Sequence, residues 1–264
     1  MNVAPTVAHC VWLPAPRGGR IFAWGGPAQK PLFPVVAVFK SLRLGLMALG
    51  AALLTACGSQ PPTPDWQVSS LGASKSFTAA FLAGDSRVAD FEFARTRQQV
   101  AATGRPDLVG RVELVRCAVK VASLDMDSCA AAQVNAPDLA APERAYAAYL
   151  GGTPLDAAQI ALLPEAHRPV FSARDDGARV ATLTAMTDPL ARLVAAGVLF
   201  SQAQLPHAGV AVAVNTASDQ GWRRPLLAWL GVQLKLAESA GDADGKARIQ
   251  RRIDLVAGSE RGKP

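Results

Sequence analysis

Residues 224–256, RPLLAWLGVQLKLAESAGDADGKARIQRRIDLV, predict two consecutive helices joined by a tight turn. Pro225 suits the first turn of a helix, where its missing N–H would have no intrahelical partner. Gly241-Asp242 predicts the turn, because glycine commonly ends helices and aspartate commonly starts them. Apolar residues recur at helical spacing on both sides of the turn: Leu226, Leu227, Leu230, Leu234 and Ala237 before it, and Ala247, Ile249, Ile253 and Val256 after it. The sequence therefore predicts an antiparallel helix pair.

The same helical period continues through most of residues 65–264, which predicts an all-α domain. Val210, Val212 and Val214 alternate as they would in a strand, but the intervening alanines and the helical neighbours favour a helix. The prolines and Asp175-Asp176-Gly177 within residues 164–180 suggest a boundary between two subdomains. Two architectures remain open at this point, a repeat-like solenoid and an irregular helical bundle.

The spacing of two helix starts resembles tetratricopeptide repeats, whose period is about 34 residues. Pro189-Leu190 and Pro225-Leu226 lie 36 residues apart, and Gly84-Asp85 matches Gly241-Asp242 as a turn between helices. The resemblance implies degenerate repeats at both ends of the domain, with a surface that binds another protein. Ala247 stands one position late for the repeat pattern, and residues 124–177 show no repeat.

Residues 40–57 resemble the signal peptide and lipobox of bacterial lipoproteins. Lys40 and Arg43 form a basic start, residues 44–54 are uncharged and apolar, and Leu54-Thr55-Ala56-Cys57 ends the segment. The resemblance implies that residues 40–56 are removed and that Cys57 carries the lipid. Residues 57–64 would then be a flexible tether, and Gly58 after the cysteine implies the periplasmic face of the outer membrane rather than the inner membrane. We interpret residues 1–39 as a spurious or disordered extension upstream of the true start.

The charge balance changes when the chain is cut at Cys57. The chain has 27 Lys and Arg against 21 Asp and Glu, a formal net charge of +6. Five basic and no acidic residues precede Cys57, which leaves 22 basic and 21 acidic residues in the mature chain. A mature chain close to neutral argues against nucleic-acid binding.

Lipidation of Cys57 would leave Cys117 and Cys129 as the cysteines of the mature chain. In an oxidising compartment these two are expected to form a disulfide, and the alternative is two unpaired core thiols. We expect no metal site and no cofactor, because His167 and His207 do not stand at ligand spacing. Both histidines are interpreted as surface or helix-capping residues.

No catalytic motif is recognisable, so the leading hypothesis is a non-catalytic, lipid-anchored adaptor or scaffold that binds another protein. Trp222, Arg223 and Arg224 are the candidate partner-binding residues, because tryptophan and arginine are enriched in binding hot spots. The alternative is that Trp229 belongs to the core and Trp222 covers a helix start. Other possibilities are an envelope hydrolase of cell-wall material using Glu165, Asp175 and Asp176, or a passive structural lipoprotein.

Overall fold

The computed structural model describes residues 64–126, 129–130, 134 and 136–259. The signal peptide, Cys57 and the tether up to residue 63 lie outside the described residues. Within these ranges the chain forms ten α-helices and no strand. The helices are α1 (Asp65–Ala83), α2 (Ser86–Ala101), α3 (Pro106–Ala122), α4 (Ala141–Leu150), α5 (Ala157–Leu162), α6 (Asp176–Ala185), α7 (Pro189–Ser201), α8 (His207–Asp219), α9 (Arg223–Ser239) and α10 (Ala243–Gly258). The all-α prediction is confirmed.

Two of the predicted turns have the same construction. Gly84 ends α1 with a left-handed backbone (φ +86°), and the carboxylate of Asp85 accepts the N–H of Val88 at 3.1 Å. Gly241 follows α9 with φ +69°, and the carboxylate of Asp242 accepts the N–H of Gly245 at 2.8 Å. Glycine adopts this backbone conformation without the strain a Cβ would add. The turns therefore join α1 to α2 and α9 to α10 as helical hairpins.

Contacts between helices far apart in the sequence distinguish the two open architectures. α3 packs against α7, and α1 packs against α9, in addition to the contacts between neighbouring helices. In a linear solenoid each repeat contacts only its neighbours. The irregular helical bundle is therefore the architecture that accounts for the described contacts.

The closest helix crossing lies between α3 and α7 at Gly197. A Cβ built on this glycine would lie 2.4 Å from the carbonyl oxygen of Val121 and 2.9 Å from Cγ1 of the same residue. Ala195 and Ala196 of α7 and Ala213 of α8 are fully buried. Small residues let the helix backbones approach closely at this crossing.

Two sequence expectations are corrected at this level. Ala247 was expected to face inward on α10 but is exposed, and Gly245 is the buried residue of that helix. The expected boundary near 164–180 is a 3-10 helix, Glu165–Ser172, followed by α6. This segment packs against α7 within the same compact unit as its neighbours, so the chain is not divided there.

The alternating valines lie in a helix, as expected. Val210 and Val214 are buried within α8, and Val212 is half-buried. Residues four apart share one face of a helix, so the first and third valines can enter the core together.

A disulfide joins Cys117 in α3 to Cys129, and the two Cα atoms are 5.5 Å apart. Both residues are buried in the core cluster. The bond closes a short loop, with a sequence separation of 12. It therefore fixes the segment after α3 against that helix.

Replacing both Cys117 and Cys129 with serine is expected to lower the free energy of unfolding by about 3 kcal/mol, because the unfolded chain regains the entropy of the open loop. Urea unfolding of the variant and of the wild-type protein measures the change. Reduction of the wild-type protein should reproduce the loss. Equal unfolding midpoints for the oxidised and the reduced protein would contradict a stabilising bond.

Candidate functional site

The candidate partner-binding residues lie where the start of α9 meets the end of α1. The guanidinium of Arg224 donates to the carbonyl of Phe81 at 2.7 Å and to the hydroxyl of Ser86 at 2.8 Å. The same group lies 4.3 Å from the centre of the Phe81 ring. This stacking adds a cation–π contact to the two hydrogen bonds. Arg224 is therefore engaged within the bundle.

Arg223 contacts the next carbonyls of the same helix end. Its guanidinium donates to the carbonyl of Ala83 at 3.3 Å and to that of Gly84 at 3.4 Å. The last carbonyls of a helix lack intrahelical partners and carry the negative end of the helix dipole. The two arginines supply both hydrogen bonds and positive charge at this end of α1.

Trp229 supplies a hydrogen bond to the end of α3. Its side chain is fully buried, and its indole N–H donates to the carbonyl of Ala122, the last residue of α3, at 3.0 Å. Phe200 packs edge-on against its ring, with centroids 5.8 Å apart. We call Arg223, Arg224 and Trp229 the α9 clamp, because these side chains from α9 complete the ends of two other helices.

Within the Trp222-Arg223-Arg224 cluster, both arginines therefore contact other parts of the bundle. All three residues are half-buried, and Trp222 packs against the core beside the start of α9. The alternative, with Trp229 in the core and Trp222 over a helix start, is the arrangement found. Sequence reasoning missed the role of Arg224 because its partner Phe81 lies 143 residues earlier, beyond any local pattern.

Replacing Arg224 with glutamate is expected to lower the free energy of unfolding by about 2 kcal/mol, since two charge-assisted hydrogen bonds are lost. The new carboxylate would also face the negative end of α1. Exposed Arg174 provides the control, because Arg174→Glu makes the same charge change away from the clamp. Urea midpoints compare the two variants, and an equal effect of both would contradict the structural role of Arg224.

Two open grooves lie beside the clamp. The first has a volume of about 700 Å³ and is lined by Gly84, Ser86, Leu226, Leu255 and Val256, among others. The second lies between α9 and α10, has a volume of about 460 Å³, and includes Gln233, Leu236, Ile249, Arg248 and Arg252 in its lining. Both combine apolar side chains with polar or charged ones. They are surfaces that an extended ligand could contact.

His167 is buried, contrary to the expectation of a surface or capping residue. Its Nδ1 lies 3.2 Å from the hydroxyl of Tyr149, which is also fully buried. Burial lowers the pKa of His167 to about 4 and raises the pKa of Tyr149 above its ordinary value. Tyr146 packs against His167, and Phe171 packs against Tyr149. The histidine is therefore neutral at physiological pH and belongs to an aromatic part of the core.

The stability of the protein is expected to fall as the pH drops from about 6.5 to about 4. Over this range the unfolded chain takes up a proton at His167 and the folded chain does not. The contribution of His167 is complete above pH 6.5 and decreases by about 1.4 kcal/mol per pH unit within the range. Urea unfolding at several pH values measures this slope. The His167→Phe variant should show a smaller pH dependence of the free energy of unfolding. An equal pH dependence for variant and wild type would contradict the burial of a neutral His167.

The acidic residues considered for an enzyme serve local structure. Asp175 accepts the N–H of Ala178 at 2.7 Å as the cap of α6, and Asp176 pairs with Arg179 at 3.1 Å. Glu165 lies in the first turn of the 3-10 helix. None of the three lines either groove described above.

The remaining candidates give no site in the described residues. His207 is exposed at the first position of α8, in keeping with a surface residue. Among the residues that the structure describes, no three His, Cys, Asp or Glu side chains are grouped as metal ligands. Of the helices in the same part of the chain, none combines the length and apolar character needed to span a bilayer. No protein-family model, curated protein or solved structure matches the chain.

Proposed function

We propose that this protein is a lipid-anchored, non-catalytic adaptor or scaffold of the bacterial envelope. The observation that carries the proposal is the buried disulfide between Cys117 and Cys129. Disulfides persist in oxidising compartments such as the periplasm and are rare in the cytosol. The lipobox-like residues 54–57 would mark the protein for export to that compartment, and the cysteine of this segment would carry the acyl anchor.

The adaptor role rests on the shape and chemistry of the α-helical domain. The domain places two open grooves next to its last helix pair, α9 and α10. Protein interfaces combine apolar contact area with a polar rim, and both grooves offer this combination. We propose that another envelope protein binds there, while the anchor holds the domain at the periplasmic face of the outer membrane.

Labelling cells with a palmitate analogue tests the anchor. Wild-type protein should carry the label and remain with the membranes, and Cys57→Ser should lose both the label and the membrane association. Ser59→Ala is the matched control, because it changes a residue two positions after Cys57 and leaves that cysteine in place. Label retained by Cys57→Ser would overturn the proposal.

Site-specific photo-crosslinking tests the adaptor role. A crosslinker at exposed Ala83, in the first groove, should capture a defined protein, whereas one at exposed Arg174 should not. Identification by mass spectrometry names the partner. Equal patterns from both positions would contradict a specific docking groove.

A further inference from the structure

One flank of α10 carries an arginine patch, defined as Arg248, Arg251, Arg252 and Leu255. These residues occupy positions i, i+3, i+4 and i+7 of the helix, so they lie along the same side of it. All three arginines are exposed, and Leu255 is 76% exposed. The side chains of the three arginines make no hydrogen bond or ion pair with any residue that the structure describes.

The acidic groups nearby leave the patch positively charged. Glu238 is held by Lys235 at 3.0 Å and Lys246 at 3.1 Å, and Asp254 accepts a hydrogen bond from Gln250 at 2.9 Å. Asp244, one turn before Arg248, and Asp254, three positions after Arg251, offset two of the three charges, because a hydrogen bond from the uncharged amide of Gln250 does not cancel the charge of a carboxylate. Exposed arginines along one flank of a helix favour contact with an anionic lipid surface.

We propose that the arginine patch docks the domain onto an anionic phospholipid surface, and that this contact covers the groove edges formed by Arg248, Arg252 and Leu255. The inference rests on the proposed lipid anchor, which would keep the patch near the bilayer. The seven steps from Cys57 to Pro64 span at most about 25 Å. Electrostatic attraction that is weak for a free protein is therefore strengthened by a high effective concentration.

The expected strength follows from the charge of the patch. Each arginine close to an anionic leaflet favours the docked state by roughly fivefold, and the attraction decays within a Debye length. One arginine charge that is not offset is enough to bias the orientation of a domain that is already tethered. High salt should release the patch without releasing the acyl anchor.

Arginine footprinting of the full-length protein tests the proposal. The protein is reconstituted in vesicles of phosphatidylcholine, alone or mixed with phosphatidylglycerol, then treated with phenylglyoxal and analysed by mass spectrometry. Modification of Arg248, Arg251 and Arg252 should be at least roughly fivefold slower in the mixed vesicles. Exposed Arg87 and Arg174 should react equally in both, and high salt should remove the difference.

A matched pair of triple variants controls for net charge. Replacing the three patch arginines with glutamine should abolish the effect of phosphatidylglycerol on vesicle binding at low salt. Lys75→Gln, Arg87→Gln and Arg174→Gln together remove the same charge from other exposed positions and should leave it unchanged.

Two results would overturn the arginine patch as a lipid contact. One is equal footprinting rates in both kinds of vesicle. The other is protection in native membranes only, which would assign the patch to a protein partner. Mass spectrometry of the same samples also reports whether Cys57 is acylated. Failure of the anchor is therefore recorded separately from failure of the patch.

Discussion

Replacing Gly197 with leucine is expected to prevent stable folding, and replacing it with alanine to lower the free energy of unfolding by about 3 kcal/mol. A Cβ at this position would meet the Val121 carbonyl oxygen at 2.4 Å, and a backbone atom within a helix cannot move aside. Alanine gains about 1 kcal/mol of helix propensity, which the clash at this crossing exceeds. Urea unfolding and circular dichroism measure the two outcomes.

Gly231 in α9 provides the matched control, because a Cβ added there meets nothing within 4 Å. Gly231→Ala should raise the free energy of unfolding by roughly 0.5–1 kcal/mol through propensity alone. Opposite signs at two helical glycines would identify the α3–α7 crossing as the cause. A neutral Gly197→Ala variant would contradict the close approach of the two helices.

Replacing Trp229 with alanine is expected to lower the free energy of unfolding by about 4 kcal/mol. The substitution removes a fully buried indole, opens a cavity beside Phe200, and leaves the carbonyl of Ala122 without its donor. Urea unfolding measures the loss, provided that the slope of the unfolding free energy against urea concentration is unchanged.

Trp229→Phe separates packing from hydrogen bonding. Phenylalanine keeps much of the apolar volume but cannot donate to Ala122, so about 1–3 kcal/mol should still be lost. A phenylalanine variant as stable as the wild type would show that the hydrogen bond contributes nothing. An alanine variant with the same stability would contradict the buried position of Trp229.

The helices were predictable because the signals that define them are local. Gly84-Asp85 and Gly241-Asp242 specify turns through a left-handed glycine and a capping carboxylate, and both lie within a few residues of the helices they join. For α8, where the alternating valines also fitted a strand, the intervening alanines and the helical neighbours were sufficient. Such information depends on neighbouring residues and is present in any single sequence.

The packing of the helices was not predictable in the same way. Arg224 and Phe81 are 143 residues apart, and Trp229 and Ala122 are 107 apart. No residue near Arg223 or Arg224 in the sequence shows whether these arginines bind a partner or complete a helix end. His167 was misjudged for a related reason, because its burial depends on Tyr146 and Tyr149, which lie in α4.

The α9 clamp also has a consequence for biosynthesis. The ends of α1 and α3 reach their final hydrogen bonding only after residues 223–229 have been made, up to 143 residues after the groups they contact. At about 5 to 20 residues per second, this delay lasts roughly 7 to 30 s. Throughout that interval the first half of the domain exists without its closing helix. The helix ends that the α9 clamp completes can therefore reach their final hydrogen bonding only when most of the chain is present, wherever the protein folds.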